Sequence, residues 1–296
     1  MTSSLLRVCS SIKYRSRRSI VWGWTLVLRL QSRFGRRPVL NGAGPVVSLT
    51  SHGSRVSKCH LTIESIARGS VRPGRLILWL DDPSTVSNPP RTLVRQISRG
   101  LEVRLSSNFG PHTKYFPYVA ETRSPDHPLV TADDDVLYPR SWLQRLSSAH
   151  NAAPGCVIAY RARRVGFDSE GNLLPYNAWP FSTNASPSYA NFGTGHSGVL
   201  YPVGMQVALR KRGTDFLKVS PRADDVWLHN TSVREGFPTR LVETASVAFD
   251  SLPMSQRDAL KHTNVASGMN DPQIEATYAG DIVSMLRDAA VAEESE

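Results

Sequence analysis

Three consecutive aspartates, Asp133, Asp134 and Asp135, interrupt an apolar run in LVTADDDVLYP, residues 129–139. Adjacent carboxylates repel one another, and burying any of them without a partner is costly, so folding alone does not select such a cluster. In an extended chain Asp133 and Asp135 share one face and Asp134 takes the other. A D-x-D pair on one face can hold a hard divalent cation. Mg²⁺ and Mn²⁺ accept one or two carboxylates while phosphate oxygens and water complete the shell. A solvated acidic turn is the plain alternative, and the strand-like LVTA run leading into the acids argues against it.

A second acid pair, Asp224-Asp225 in PRADDVWL, falls in the first turn of an expected helix, where the macrodipole favours acids without any function. Trp227 and Leu228 make that helix start apolar, so a carboxylate there can be desolvated and basic enough to accept a proton. Asp81-Asp82, before Pro83, reads equally as a turn or cap and as a ligand contact. Lys114 in HTKYFP is either a surface cation beside Tyr115 and Phe116 or a partner for a diphosphate. Together these groups suggest a metal-bound diphosphate substrate and a separate general base.

The elements that must position them follow a regular rhythm. PVVSLT reads as a short buried strand, residues 56–68 space apolar side chains at helical period up to Gly69, and RLILWL (75–80) is a near-continuous apolar run of strand length. A helical stretch from Arg91 to Arg99, an alternating LEVRL strand (101–105) and the PLVTA run follow, with a helix expected near Pro139. This alternation predicts an α/β sandwich with a mainly parallel sheet. In such sheets ligands sit at the carboxyl ends of the strands, where Asp81-Asp82 and Asp133-Asp134-Asp135 fall. The stretch 165–202, rich in Gly, Pro, Ser, Asn and aromatics, reads as long substrate-facing loops. The expected organisation is a basic N-terminal arm over 1–43, a catalytic domain over 44–250 and a helical extension over 251–296.

The formal charge of +10 is concentrated in the arm. Residues 1–63 hold eleven Lys or Arg and no acid; removing those eleven from the 35 bases leaves 24 against 25 acids, a body of charge −1. That distribution argues against a nucleic-acid binder. Ile20 to Leu30 (IVWGWTLVLRL) is too short an apolar run to cross a bilayer, which needs about 20 residues. It fits an in-plane anchor, with Trp22 and Trp24 at the interface and arginines of residues 1–37 facing an anionic membrane surface. A secretory apolar segment or a disordered basic tail are the alternatives, and no small-x-small cleavage site follows Leu30. Cys9, Cys59 and Cys156 lack CxxC spacing and indicate a reduced, cytoplasmic setting.

VVSLTSHGSR, LILWLDD, HTKYFPY, TADDDVLYPRSWL, GHSGVLYP and PRADDVWL, in that order over about residues 45–240, resemble bacterial glycosyltransferases of the family-2-like type with the GT-A (nucleotide-diphospho-sugar transferase) fold. The resemblance implies a three-layer sandwich and a metal-dependent, inverting transfer of sugar from a nucleotide-diphospho-sugar donor to an acceptor hydroxyl, with Mn²⁺ or Mg²⁺ as cofactor. It implies that Thr50, Arg55 and Asp82 lie near the nucleotide and that Lys114 approaches the nucleotide or diphosphate. Asp133 and Asp134 would contact ribose or donor sugar, and Asp135 would be the principal metal ligand, with Asp133 as its partner. A run of three acids leaves the assignment open to a one-residue shift. Gly195 to Gly198 would form the loop under donor sugar and acceptor. Asp225 would be the general base, with Asp224 as the alternative. A glycan or glycolipid acceptor is expected from the arm and from aromatics such as Tyr176 and Trp179.

Two rival readings remain. A sugar-phosphate nucleotidyltransferase shares the fold and the metal acids, but opens with a Gly-rich basic phosphate loop of which LTSHGSR is a poor version. A non-catalytic membrane-associated binding protein would leave the acid clusters without a role.

Overall fold

The structure is a computed structural model that describes residues 19–42, 44–253, 268–278 and 280–294. Nine strands are present among these residues: β1 (Val46–Thr50), β2 (Arg75–Leu80), β3 (Glu102–Leu105), β4 (Leu129–Ala132), β5 (Val157–Ala159), β6 (Ala162–Arg164), β7 (Asn191–Gly193), β8 (Val199–Tyr201) and β9 (Thr239–Leu241). Seven form one sheet in the order β3-β2-β1-β4-β8-β5-β9, and β6 pairs with β7 in a small antiparallel sheet. Every pairing in the large sheet is parallel except the two made by β8.

Side-chain alternation along these strands builds two cores. Val47, Leu49, Leu76, Leu78, Val130 and Ile158 face the layer containing helices Val56–Ala67 and Trp142–Ala152. Val46, Ile77, Trp79, Leu129 and Val157 face the opposite layer, where helices Phe116–Glu121, Val203–Arg212 and Asp224–Arg234 pack. Strands covered on both faces read as continuous apolar runs, as RLILWL does. The result is the expected three-layer α/β sandwich with a mainly parallel sheet.

The strands of the first half lie where the sequence pattern puts them. The second half is more ordered than its composition suggests: β5 to β9 are each three residues long, too short to show a period, and they hold their places through pairing across the sheet. The helix expected near Pro139 begins at Trp142.

Both ends of the described chain dock on this sandwich. The helix over 19–34 buries Thr25 and Leu28, and Leu28 packs with Leu61, Leu137 and Leu252. Trp24, expected at a membrane interface, is instead turned toward the domain, with Arg68 5.2 Å from its ring; Trp22 stays 47% exposed. The physical reason is helical geometry, which points the side chains at 21, 24, 25 and 28 the same way. Among the described residues no helix is long and apolar enough to cross a membrane. At the other end, helices Asn270–Thr277 and Asp281–Glu294, with Tyr278 between them, contribute Ile274, Tyr278, Ile282 and Leu286 to a third core shared with Val226 and Val233. Residues 1–18, with Cys9, and 254–267 lie outside the described residues, while Cys59 and Cys156 are buried free thiols.

Candidate active site

A cavity of about 680 Å³ opens at the carboxyl ends of β1, β2 and β4. The parallel register determines what meets there: Leu49 pairs with Ala132 and Thr50 with Trp79, so Thr50 and Asp133 emerge at one level and Asp81 follows two residues past Trp79. Past Ala132 the chain turns, and Asp133, Asp134 and Asp135 all line the cavity.

The three acids have different partners. Asp134 is 4% exposed and accepts from Ser51 Oγ and from both Nε (3.1 Å) and Nη2 of Arg55. Its own carbonyl is held by Thr62 Oγ1 at 2.9 Å. Asp134 is therefore committed to the turn, as a strut more than a free ligand. Arg55 Nη2 also reaches Asp135 Oδ1 at 3.6 Å, so Arg55 braces two acids. Burial opposes charge on Arg55, yet Asp134, Asp135 and Asp133 raise its pKa above the ordinary value.

Asp133 belongs to a second cluster. Lys114 Nζ lies 3.1 Å from Asp133 Oδ1 and 3.1 Å from Asp224 Oδ2. Burial alone would lower the lysine's pKa, but Asp133, Asp224 and Asp225 together raise it well above its usual range. Burial pushes Asp133 up, and Lys114, with His196 and Arg55, brings it below the ordinary carboxylate value. Lys114 is delivered by the short 3-10 turn Gly110–Lys114. That turn is held by His112, whose Nε2 donates to Ser220 O (2.7 Å) and whose Nδ1 accepts from Tyr115 Oη (2.9 Å). Burial lowers the His112 pKa to about 4, which keeps the ring neutral for this pattern.

Asp224 and Asp225 open the helix Asp224–Arg234 and line the cavity with Lys114. Asp225 Oδ1 accepts from Gly195 N at 3.0 Å. Burial, and then the neighbouring Asp224 charge, raise the Asp225 pKa to about 8, against the pull of Lys114 and Gly195 N–H. A carboxyl so placed titrates close to neutral pH and, once ionised, is basic enough to accept a proton. Glycine at 195 eases the approach, since a Cβ there would sit 3.2 Å from both Asp225 Oδ1 and Lys114 Nζ and those side chains would have to shift.

Two expected residues lie elsewhere. Asp82 is exposed and caps the helix Pro83–Ser87, accepting from Ser84 N (3.1 Å) and Thr85 N (3.2 Å), and its neighbour Asp81 lines the cavity in its place. The chain leaves β2 with Asp82 in extended conformation just before Pro83, which directs the side chain back onto the helix N–H groups. Gly198 (φ +91°) is outside the lining; it packs the loop onto Trp142, whose Nε1 donates to Ser197 O at 2.9 Å. Thr50, Arg55, Lys114, Asp133, Asp134, Asp135, Gly195, Asp224 and Asp225 are brought together.

The lining also contains residues that sequence reading passed over, notably Arg161, Arg163, Phe192, His196, Arg222 and Asn270. The alternating RAR after the short VIAY run was the available signal. His196 came within a quoted motif, but its position 3.9 Å from Asp133 Oδ2 follows from the 3-10 turn Gly195–Ser197.

Among the described residues no group of three or more His, Cys, Asp or Glu is assembled as a metal site. Asp133 and Asp135 are the cavity's candidate oxygen donors. Their chemistry fits Mg²⁺ or Mn²⁺ held by one or two carboxylates with substrate phosphates supplying further oxygens.

No protein-family model matches the chain, and no curated protein matches it. Solved structures do resemble it. CMP:2-keto-3-deoxy-manno-octonic acid synthetase complexed with CTP aligns at TM-score 0.42 and 12% identity over 77% of this chain and 99% of that one. The 4-diphosphocytidyl-2C-methyl-D-erythritol synthase of Anaerococcus prevotii gives 0.48 and 11% over 77% and 98%. GalNAc-T7 with UDP, GalNAc and Mn²⁺ gives 0.44 and 12% over 85% and 55%. At TM-scores below 0.5 these likenesses carry no argument about activity, which has to come from the site.

Proposed function

We propose that the protein is a metal-dependent, inverting glycosyltransferase that uses a nucleotide-diphospho-sugar donor. One observation carries the reading: a desolvated carboxyl, Asp225, held near neutral pKa, shares a cavity with a second acid cluster at Asp133–Asp135, and Lys114 stands between them. Asp225 takes the proton from the acceptor hydroxyl as that oxygen attacks the anomeric carbon. Gly195 N–H orients its Oδ1. Asp133 and Asp135 would hold Mn²⁺ or Mg²⁺, which would neutralise charge on the leaving diphosphate. Lys114 supports the same charge, Thr50 and Asp81 face the nucleotide, and Arg55 keeps Asp134 and Asp135 in place.

The nucleotidyltransferase alternative requires a basic loop after β1 that is open to a triphosphate. Here the only Arg or Lys of that loop, Arg55, is bound to Asp134 and Asp135, which favours sugar transfer. The deciding experiment presents a panel of nucleotide sugars with Mn²⁺ and, separately, nucleoside triphosphates with sugar phosphates. Release of nucleoside diphosphate supports the proposal; release of pyrophosphate refutes it.

An anionic membrane surface is proposed as the second partner. Support comes from the helix over 19–34, whose outer face exposes Ile20, Leu26, Val27, Leu30 and Phe34 (69%) next to Arg29 and Arg33. Apolar side chains on one face with flanking arginines suit an interfacial helix. A glycan or glycolipid acceptor at that surface completes the reading.

A further inference from the structure

Arg161 and Arg163 bring two cations to the cavity without any acid bound to them. Arg161 immediately precedes β6 and Arg163 lies within it, and both guanidinium groups lie over one ring, 4.5 and 4.9 Å from the centroid of Phe181. Both line the cavity. Neither forms an ion pair among the described residues, in contrast to Arg55 and Lys114, each of which engages two acids. Arg161 has only a long contact, 3.4 Å, from Nη1 to Thr194 Oγ1. Arg163 donates from Nη1 to Trp179 O and stacks 4.7 Å from Tyr176, while its buried Nε has no hydrogen-bond partner. Burial lowers the pKa of Arg161 and the charge of Arg163 lowers it further, while Tyr176, Asp225 and Asp133 raise it only in part. Bringing two like charges together in a partly desolvated wall is unfavourable. An incoming oxyanion would relieve it.

We infer that Arg161 and Arg163 form a subsite for an anionic group, a carboxylate or phosphate carried by the acceptor sugar. The position supports the acceptor over the donor. Thr194, beside Arg161, immediately precedes Gly195, whose N–H orients the proposed base Asp225. The opposite wall, with Asp133, Asp135 and Lys114, is where the donor diphosphate is proposed to sit. Buried Tyr176 and Phe192 line the wall beside the arginines and offer ring faces to a sugar. Planar guanidinium forks match a carboxylate or phosphate in bidentate fashion. The inference deepens the glycosyltransferase reading and rests on it for the word acceptor.

The test uses the full chain and its Arg161→Gln variant, chosen because Arg161 contributes so little internal bonding. Saturation-transfer NMR compares sodium glucuronate and glucose 6-phosphate with neutral glucose, and a separate titration measures UDP, GDP, CDP and ADP with Mn²⁺. The expected result is transfer to one of the anionic sugars but not to glucose. R161Q should weaken that binding roughly tenfold or more, since hydrogen bonds to charged groups are worth that much. Nucleoside diphosphate binding stays as in the parent, which also reports an intact fold. Equal transfer to glucose and to the anionic sugars overturns the inference. So does loss of nucleoside diphosphate binding in R161Q, which gives the arginine to the donor. Absence of nucleoside diphosphate binding in the parent refutes the glycosyltransferase reading by itself, while the sugar comparison still reports on the arginine pair.

Discussion

Replacing Asp225 with asparagine should make the protein more stable and nearly inactive at once. For a carboxyl whose folded pKa is raised from 3.8 to about 8, the folded state favours the neutral form. Stability is therefore complete below pH 3.8, falls as pH rises through the window from 3.8 to 8, and is level above it. Each pH unit in that window costs about 1.4 kcal/mol, or roughly 3 kcal/mol between pH 5 and pH 7. At about 2–4 °C per kcal/mol, the Tm advantage of D225N should widen by about 6–12 °C from pH 5 to pH 7. The amide oxygen still accepts from Gly195 N–H, so the loop keeps its place. Turnover should fall on the order of 10²- to 10⁴-fold, the contribution of a general base. Calorimetric scans at both pH values and a coupled nucleoside diphosphate assay read the two effects. A D225N protein less stable than the parent at pH 7, or with the same Tm gap at both pH values, refutes the reasoning about desolvation. Near-normal turnover removes Asp225 from the chemistry.

Lys114→Met should destabilise by about 3–5 kcal/mol in urea unfolding, because Asp133, Asp224 and Asp225 lose their shared cation in a buried site; an unchanged midpoint would show that solvent already screens the cluster. Gly198→Ala places a Cβ 2.7 Å from Trp142 Cζ2 at φ +91°, so a loss of at least about 1–3 kcal/mol and a shifted tryptophan emission are expected. The variant V27S/L30S/F34S, which leaves the docked Leu28 untouched, should abolish flotation with phosphatidylglycerol vesicles; undiminished flotation would place membrane contact elsewhere. The buried His229, lowered to about 4 by burial, donates from Nε2 to Tyr189 O and accepts from Tyr278 Oη. Its neutral form stabilises the fold fully above pH 6.5 and less as pH falls toward 4, so His229→Gln should reduce the loss of Tm across that interval.

The sequence by itself determined the first half of the sheet and the identity of its acids. RLILWL and LVTA are long enough, and apolar enough on both faces, to be read as buried strands, and the acids that end them fall at the carboxyl edge by chain order alone. It did not determine which acid does what. Asp82 and Asp81 differ only by one position, and it is the turn into Pro83 that spends the first on a helix cap and leaves the second in the cavity. Asp134 looked like a ligand equal to its neighbours until Ser51 and Arg55 were found to occupy it. Tertiary structure also decided the three-residue strands, too short to show a period, and it decided that the arginines of the alternating RAR face the cavity. Above all it decided the character of Asp225. A side chain type fixes a carboxyl's ordinary acidity, and the adjacent Asp224 is visible in the sequence. The burial that sets the actual acidity, and the downward pulls of Lys114 and Gly195 against the upward push of Asp133, exist only once distant parts of the chain have been folded against the helix that begins at Asp224.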